Sequence, residues 1–207
     1  ASSSWGSGSR IFNGWVNTLP DGTKLTPIAS VSRDAGRRVG LVTTTTVTHA
    51  TPAGFAAAQR SRGSEDDIAA QYQRQVDVVL GGGRQFFESA KRKDQRDLIG
   101  QFRADGFSTV LSRDELLRVK GGASGSRKLL GLFSSGMIPY TLDRNNDAEL
   151  QRTVPTLAEM AATALAFLES SPKGFLLQVE GGRVDHAAHS NDAAAQMWEP
   201  LAFDDAI

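Results

Sequence analysis

Cysteine is absent from the 207 residues. Disulfides and thiolate metal sites are thereby excluded, so any metal must be held by imidazole, carboxylate or hydroxyl groups. The absence does not fix a redox compartment. No apolar run reaches the roughly 20 residues that a helical membrane span needs. Net charge is lacking as well: Lys+Arg and Asp+Glu each total 23. That balance leaves no polyanion footprint and argues against nucleic-acid binding by bulk charge. The opening ASSSWGSGSR has no apolar h-region, so no signal peptide is visible. The closing WEPLAFDDAI reads as a helix cut mid-stride, and a fragment of a longer protein is expected. Histidine is scarce, with three in all.

What remains is ordinary globular composition, and the length allows one sizeable core or one large and one small lobe. Strand-like and helix-like segments alternate. Thr26-Pro27 offers an N-cap and a first-turn proline for a helix over Ile28–Val39. Gly40–Val47 (GLVTTTTV) is β-branched and reads as a strand. Pro52–Arg62 is Ala-rich and helical, and Glu65–Gln75 is a second helix capped by Ser64. Val76–Leu80 is a buried-type strand ended by Gly81-Gly82-Gly83. Asp94–Ala104 is helical, Ser108–Leu111 and Lys128–Phe133 are short strands, and Gly121–Arg127 is a surface loop. Asp143–Thr153 reads as a polar loop. Thr156–Ser171 is the clearest helix, with Leu157, Met160, Ala161, Ala164, Leu165 and Leu168 on one face. Phe175–Val179 is a strand and Asp192–Ile207 a final helix. This order predicts an α/β fold with a mostly parallel sheet covered on both faces. In such sheets, sites sit at the carboxyl ends of strands.

Two strand ends carry polar clusters, and they hold all three histidines. The first is Glu180, Asp185, His186 and His189, after Phe175–Val179. Asp185 and His189, four apart on a helical turn, share a face within reach of one ion. Carboxylate plus imidazole suits Zn²⁺, and the Glu180 oxygens suit Mg²⁺. Asp-x-x-x-His is a short pattern, and a solvated loop fits it equally well. The second cluster is Thr48-His49-Ala50-Thr51-Pro52, where Thr51 is also placed to cap a helix. Arg62 offers a planar fork for phosphate oxygens, though an arginine ending a helix also complements its dipole. Arg60 competes with it. Gly81-Gly82-Gly83-Arg84 is not a Walker loop, because no Lys-Ser/Thr follows.

Jointly, GLVTTTTVTHATPAGF (Gly40–Phe55), VDVVLGGG (Val76–Gly83) and GFLLQVEGGRVDHAAH (Gly174–His189) resemble the alkaline phosphatase family, in the family's order. The resemblance implies a three-layer α/β/α sandwich, here a single domain over 1–207 that is incomplete at both ends. It implies hydrolysis of phosphate monoesters with Zn²⁺ and Mg²⁺ through a phosphoserine. Thr51 and Glu180 match Mg²⁺ ligands, Asp185 and His189 match two ligands of one zinc, and Arg62 matches the arginine that clamps the substrate phosphate. His49 and His186 match variable positions that stand behind these groups and tune them. Ala1–Gly8 resembles the stretch just after the family's nucleophilic serine, so the nucleophile is expected before Ala1. The remaining ligands are expected beyond Ile207, and the chain by itself is expected to be inactive. Family members are commonly exported, to the periplasm or beyond, and often homodimeric. The alternatives are a related phosphodiesterase or sulfatase, or a metal-binding module without catalysis.

Overall fold

The computed structural model describes residues 2–120 and 127–207. In chain order the elements are α1 (Ser2–Ser7), α2 (Ile28–Asp34), β1 (Arg38–Thr46), α3 (Ala50–Ala56), α4 (Glu65–Gln75) and β2 (Val78–Gly82). They continue with α5 (Leu98–Ala104), β3 (Phe107–Val110), α6 (Arg113–Arg118), β4 (Lys128–Leu132), α7 (Thr141–Asn146), α8 (Ala148–Thr153) and α9 (Leu157–Leu168). The last three are β5 (Phe175–Glu180), α10 (Arg183–His189) and α11 (Ala193–Asp204). No described helix is long and apolar enough to cross a membrane.

The strands form one five-stranded sheet in the order β3-β4-β2-β1-β5. Every pairing in it is parallel. Side chains alternate between two cores, as the two-residue strand period requires. Val39, Leu41, Val79, Leu130 and Leu132 pack with α4 and α5 residues such as Ile68, Tyr72 and Phe102. Val42, Val78, Leu80 and Leu129 pack on the other face with Leu116, Met160, Ala164 and Phe167 from α6 and α9. The result is the expected α/β/α sandwich. β1 continues to β2 on one side, whereas the chain returns to the other side as β5. The strand order therefore reverses at the carboxyl ends of β1 and β5, where open α/β sheets bind ligands.

Several element boundaries differ from the sequence reading. α2 stops at Asp34 because Gly36 adopts a left-handed φ of 77° and its N–H bonds Arg33 O. β1 thus begins at Arg38, inside the stretch expected to be helical. α3 ends at Ala56, because Gln59 is drawn into an antiparallel bridge with Val16 through bonds of 2.8 and 2.9 Å. Arg62 consequently lies in a loop and not at a helix end. β2 starts two residues late, since Asp77 uses its carboxylate to accept from Val39 N and Arg33. It then runs through Gly81 and Gly82, where a Cβ would stand 2.8 Å from Thr43 O and 2.2 Å from Gly136 O, respectively. The polar stretch 143–153 is helical, not a loop: Asp147 accepts from Glu149 N and Leu150 N and so caps α8. On α9 it is Phe167 that is buried, while Leu165 faces solvent. The helix expected from Asp94 begins at Leu98, capped by Asp97. Ser64 precedes α4 without a side-chain cap bond. The loop expected at 121–127 lies, but for Arg127, outside the described residues.

Candidate active site

β1 carries four threonines at its carboxyl end, and each hydroxyl is engaged. Thr43 Oγ1 donates to Glu180 Oε2 at 2.6 Å. Thr44 Oγ1 accepts Arg183 N at 3.1 Å, fixing the start of α10. Thr45 Oγ1 donates to Thr46 O at 3.0 Å. Thr46 and Thr48 both donate to Glu65 Oε2 at 2.6 Å, tying the strand end to α4. A run that sequence alone reads as β propensity is thus a hydroxyl hub joining three segments. Four β-branched polar residues together at a strand end were the available signal.

Beyond the hub lies an open cavity of about 680 Å³. Five of the seven residues singled out from sequence line it: His49, Thr51, Arg62, Glu180 and Asp185. Thr51 sits inside the first turn of α3 and the capping position falls to His49, so Thr51 is not the N-cap. Arg62 is brought in from its loop by its N–H, which donates to Gly14 O at 2.7 Å. Its Nη2 donates to Nε2 of His49 at 2.8 Å. Arg60 is directed elsewhere, over the ring of Trp15 at 5.6 Å. The structure therefore separates the two competing arginines. Ser2, Ser3 and Ser4 of α1, from the stretch that resembles the segment after the family's nucleophile, also line the cavity, as do Arg10, Phe12 and Trp15, which sequence reasoning passed over.

His186 stands behind His49, with ring centroids 5.3 Å apart and planes near perpendicular. Arg183 reaches its Nδ1 at 3.1 Å and lies over the Tyr140 ring at 3.7 Å. Burial pulls the His49 pKa down to about 4, and the charges of Arg62 and His186 add to the effect. Burial, followed by Arg183, lowers that of His186. A neutral His49 can accept from Arg62 at Nε2. Its proton then resides on Nδ1, a buried atom with no hydrogen-bond partner among the described residues.

Asp185 Oδ1 and His189 Nε2 are 3.6 Å apart on the exposed face of α10. Asp185 faces the cavity, and His189 lies outside its lining. Hard oxygens from Thr51 and Glu180, and a carboxylate–imidazole pair from Asp185 and His189, suit Mg²⁺ and Zn²⁺ in donor chemistry. Each set supplies two donors. Among the described residues no group of three His, Asp or Glu side chains converges on one point.

The alkaline phosphatase family model matches residues 1–207. Alkaline phosphatase 3 of Bacillus subtilis is 34% identical over 213 aligned residues, covering 100% of this chain and 43% of that protein. The crystal structure of Thermus thermophilus alkaline phosphatase superposes with a TM-score of 0.89 at 44% identity, covering 98% of this chain and 41% of that one. A mutant alkaline phosphatase of the Antarctic bacterium TAB5, with Mg bound in its M3 site, gives 0.84 at 25% identity, covering 99% and 56%. The chain spans about two fifths of the length of the B. subtilis and Thermus proteins. With its match over the full length, this chain belongs to the alkaline phosphatase family.

Proposed function

We propose that these residues form part of a metal-dependent phosphomonoesterase of alkaline phosphatase type, with the cavity at the ends of β1 and β5 as its phosphate site. The observation that carries this reading is the convergence of Arg62, Thr51, Glu180 and Asp185 on one cavity, from three separate parts of the chain.

Arg62 presents a planar, permanently charged fork that pairs with two phosphate oxygens and neutralises charge on them in the transition state. His49 holds that fork without adding a competing positive charge, since its ring is neutral at physiological pH. Asp185 and His189 would hold one Zn²⁺ between them, with the rest of its ligands supplied from elsewhere. Thr51 and Glu180 would hold Mg²⁺, consistent with the magnesium in the TAB5 relative. Bound metals would supply Lewis-acid stabilisation of the entering and leaving oxygens and lower the pKa of bound water. Ser2, Ser3 and Ser4 line the same cavity, which fits a nucleophilic serine shortly before them. Export from the cytoplasm and homodimer formation belong to the same proposal by family likeness.

Hydrolysis of p-nitrophenyl phosphate tests the reading. The whole enzyme should turn it over, lose activity to a chelator and recover it with Zn²⁺ and Mg²⁺. His189→Ala should abolish both zinc uptake and turnover. The 207-residue chain by itself should show no zinc-dependent hydrolysis. A fully active His189→Ala enzyme would overturn the site assignment.

A further inference from the structure

Glu180 closes β5 beside Thr43 of β1, and the two residues are register partners in the parallel ladder. Thr43 is fully buried. Its Oγ1 accepts the backbone N–H of Thr45 at 3.0 Å and donates its single proton to Glu180 Oε2 at 2.6 Å. The first bond fixes where the second points. Thr45 Oγ1 approaches the same pair, 2.8 Å from Thr43 Oγ1 and 3.5 Å from Oε2. Gly182 leaves room for this cluster: a Cβ there would lie 2.4 Å from Thr45 Cγ2 and 3.1 Å from Glu180 Cδ. One carboxylate oxygen is therefore tethered to the sheet, and Oε1 is left as the donor atom for a cation.

We propose that Thr43 is the positioning residue for Glu180, holding the carboxylate by Oε2 so that it meets Mg²⁺ through Oε1 alone. The inference rests on the reading of Glu180 as a Mg²⁺ ligand. The tether sets the geometry in advance, and Mg²⁺ tolerates little departure from octahedral coordination. Groups that orient a metal ligand typically account for about 10- to 100-fold in metal affinity. Val matches Thr in shape and lacks the hydroxyl, whereas Ser keeps the hydroxyl and loses the methyl.

The test is calorimetric titration of MgCl₂ into the magnesium-free whole enzyme and its Thr43→Val, Thr43→Ala, Thr43→Ser and Glu180→Gln variants. Metal-free melting curves establish that each is folded, and Thr43→Ala stands in if Thr43→Val is not. Glu180→Gln should lose Mg²⁺ binding. Thr43→Val should weaken it about tenfold or more, and Thr43→Ser should restore it to within about threefold. Unchanged affinity in folded Thr43→Val or Thr43→Ala, alongside a loss in Glu180→Gln, would overturn the inference and leave the site reading intact. The same holds if Thr43→Ser binds as weakly as Thr43→Val. Absence of Mg²⁺ binding by the unaltered enzyme, or undiminished binding by Glu180→Gln, would instead overturn the assignment of Glu180.

Discussion

Arg62 donates to the neutral imidazole of His49 across 2.8 Å, while Arg60, two residues earlier, is held over Trp15. A freely rotating arginine must lose its side-chain entropy when it binds a ligand. His49 removes part of that cost in advance, at the cavity edge where it holds the N-cap position of α3 ahead of Thr51. Replacing His49 with Ala should therefore weaken phosphate ester binding by the whole enzyme about three- to tenfold, the net range of an ordinary single hydrogen bond. KM should rise more than kcat falls. Steady-state kinetics with p-nitrophenyl phosphate measure the split.

The short helix that opens the structure is seated by glycine. α1 crosses α3 so closely that a Cβ on Gly6 would lie 1.8 Å from Gly54 O. In an open helix, Gly→Ala stabilises by up to about 1 kcal/mol. Here the sign should reverse, with Gly6→Ala destabilising by about 1–3 kcal/mol through overpacking. Thermal unfolding of the two proteins gives the sign directly.

α9 begins with a reciprocal cap: Thr156 Oγ1 accepts from Glu159 N, and Glu159 Oε2 accepts from Thr156 N. Arg113 adds further bonds to the same carboxylate. Thr156→Ala should cost about 1 kcal/mol in denaturant unfolding.

The same carboxylate makes a pH prediction. Burial raises the Glu159 pKa, but the Arg113 and Thr156 bonds outweigh it, and the value settles below its ordinary 4.5. A depressed carboxyl contributes stability above its unfolded pKa and loses it as pH falls through the folded value. The melting-temperature gap between the unaltered protein and Glu159→Gln should thus be constant above about pH 5 and close progressively below about 4.5. A gap that widened on acidification would contradict the cap.

How much was legible in the sequence depended on the range of the interactions. α4 was read to the residue, Glu65–Gln75, because the change from Gly63-Ser64 before it and to the β-branched run at Val76 after it is local. The end of α2 was legible in principle, at Gly36, a helix stop that the reading overlooked. The end of α3 was not, since Val16 arrives from 43 residues upstream to pull Gln59 into a bridge. The Gly81-Gly82 pair was taken as a terminator, whereas close approach by the Thr43 and Gly136 carbonyls keeps it in the strand. At the site, residue types and spacing marked Glu180, Asp185 and His189 and raised Thr51 and Arg62 as candidates, and family likeness supplied the metal-ligand and phosphate-clamp roles of those two. The threonine run hinted at its role only by its composition, because its partners Glu65, Glu180 and Arg183 meet it only once the sheet has formed.

The central claim is that the cavity bounded by Arg62 and residues 180–185 binds phosphate. The most direct measurement is the inhibition constant of inorganic phosphate for the whole enzyme carrying Arg62→Ala, set against Arg60→Ala. A bidentate arginine in a phosphate site should be worth about tenfold or more in affinity. Arg62→Ala should therefore weaken phosphate inhibition by at least that factor, while Arg60→Ala leaves it within about twofold. An unchanged constant for Arg62→Ala, or a larger loss for Arg60→Ala, would contradict the account.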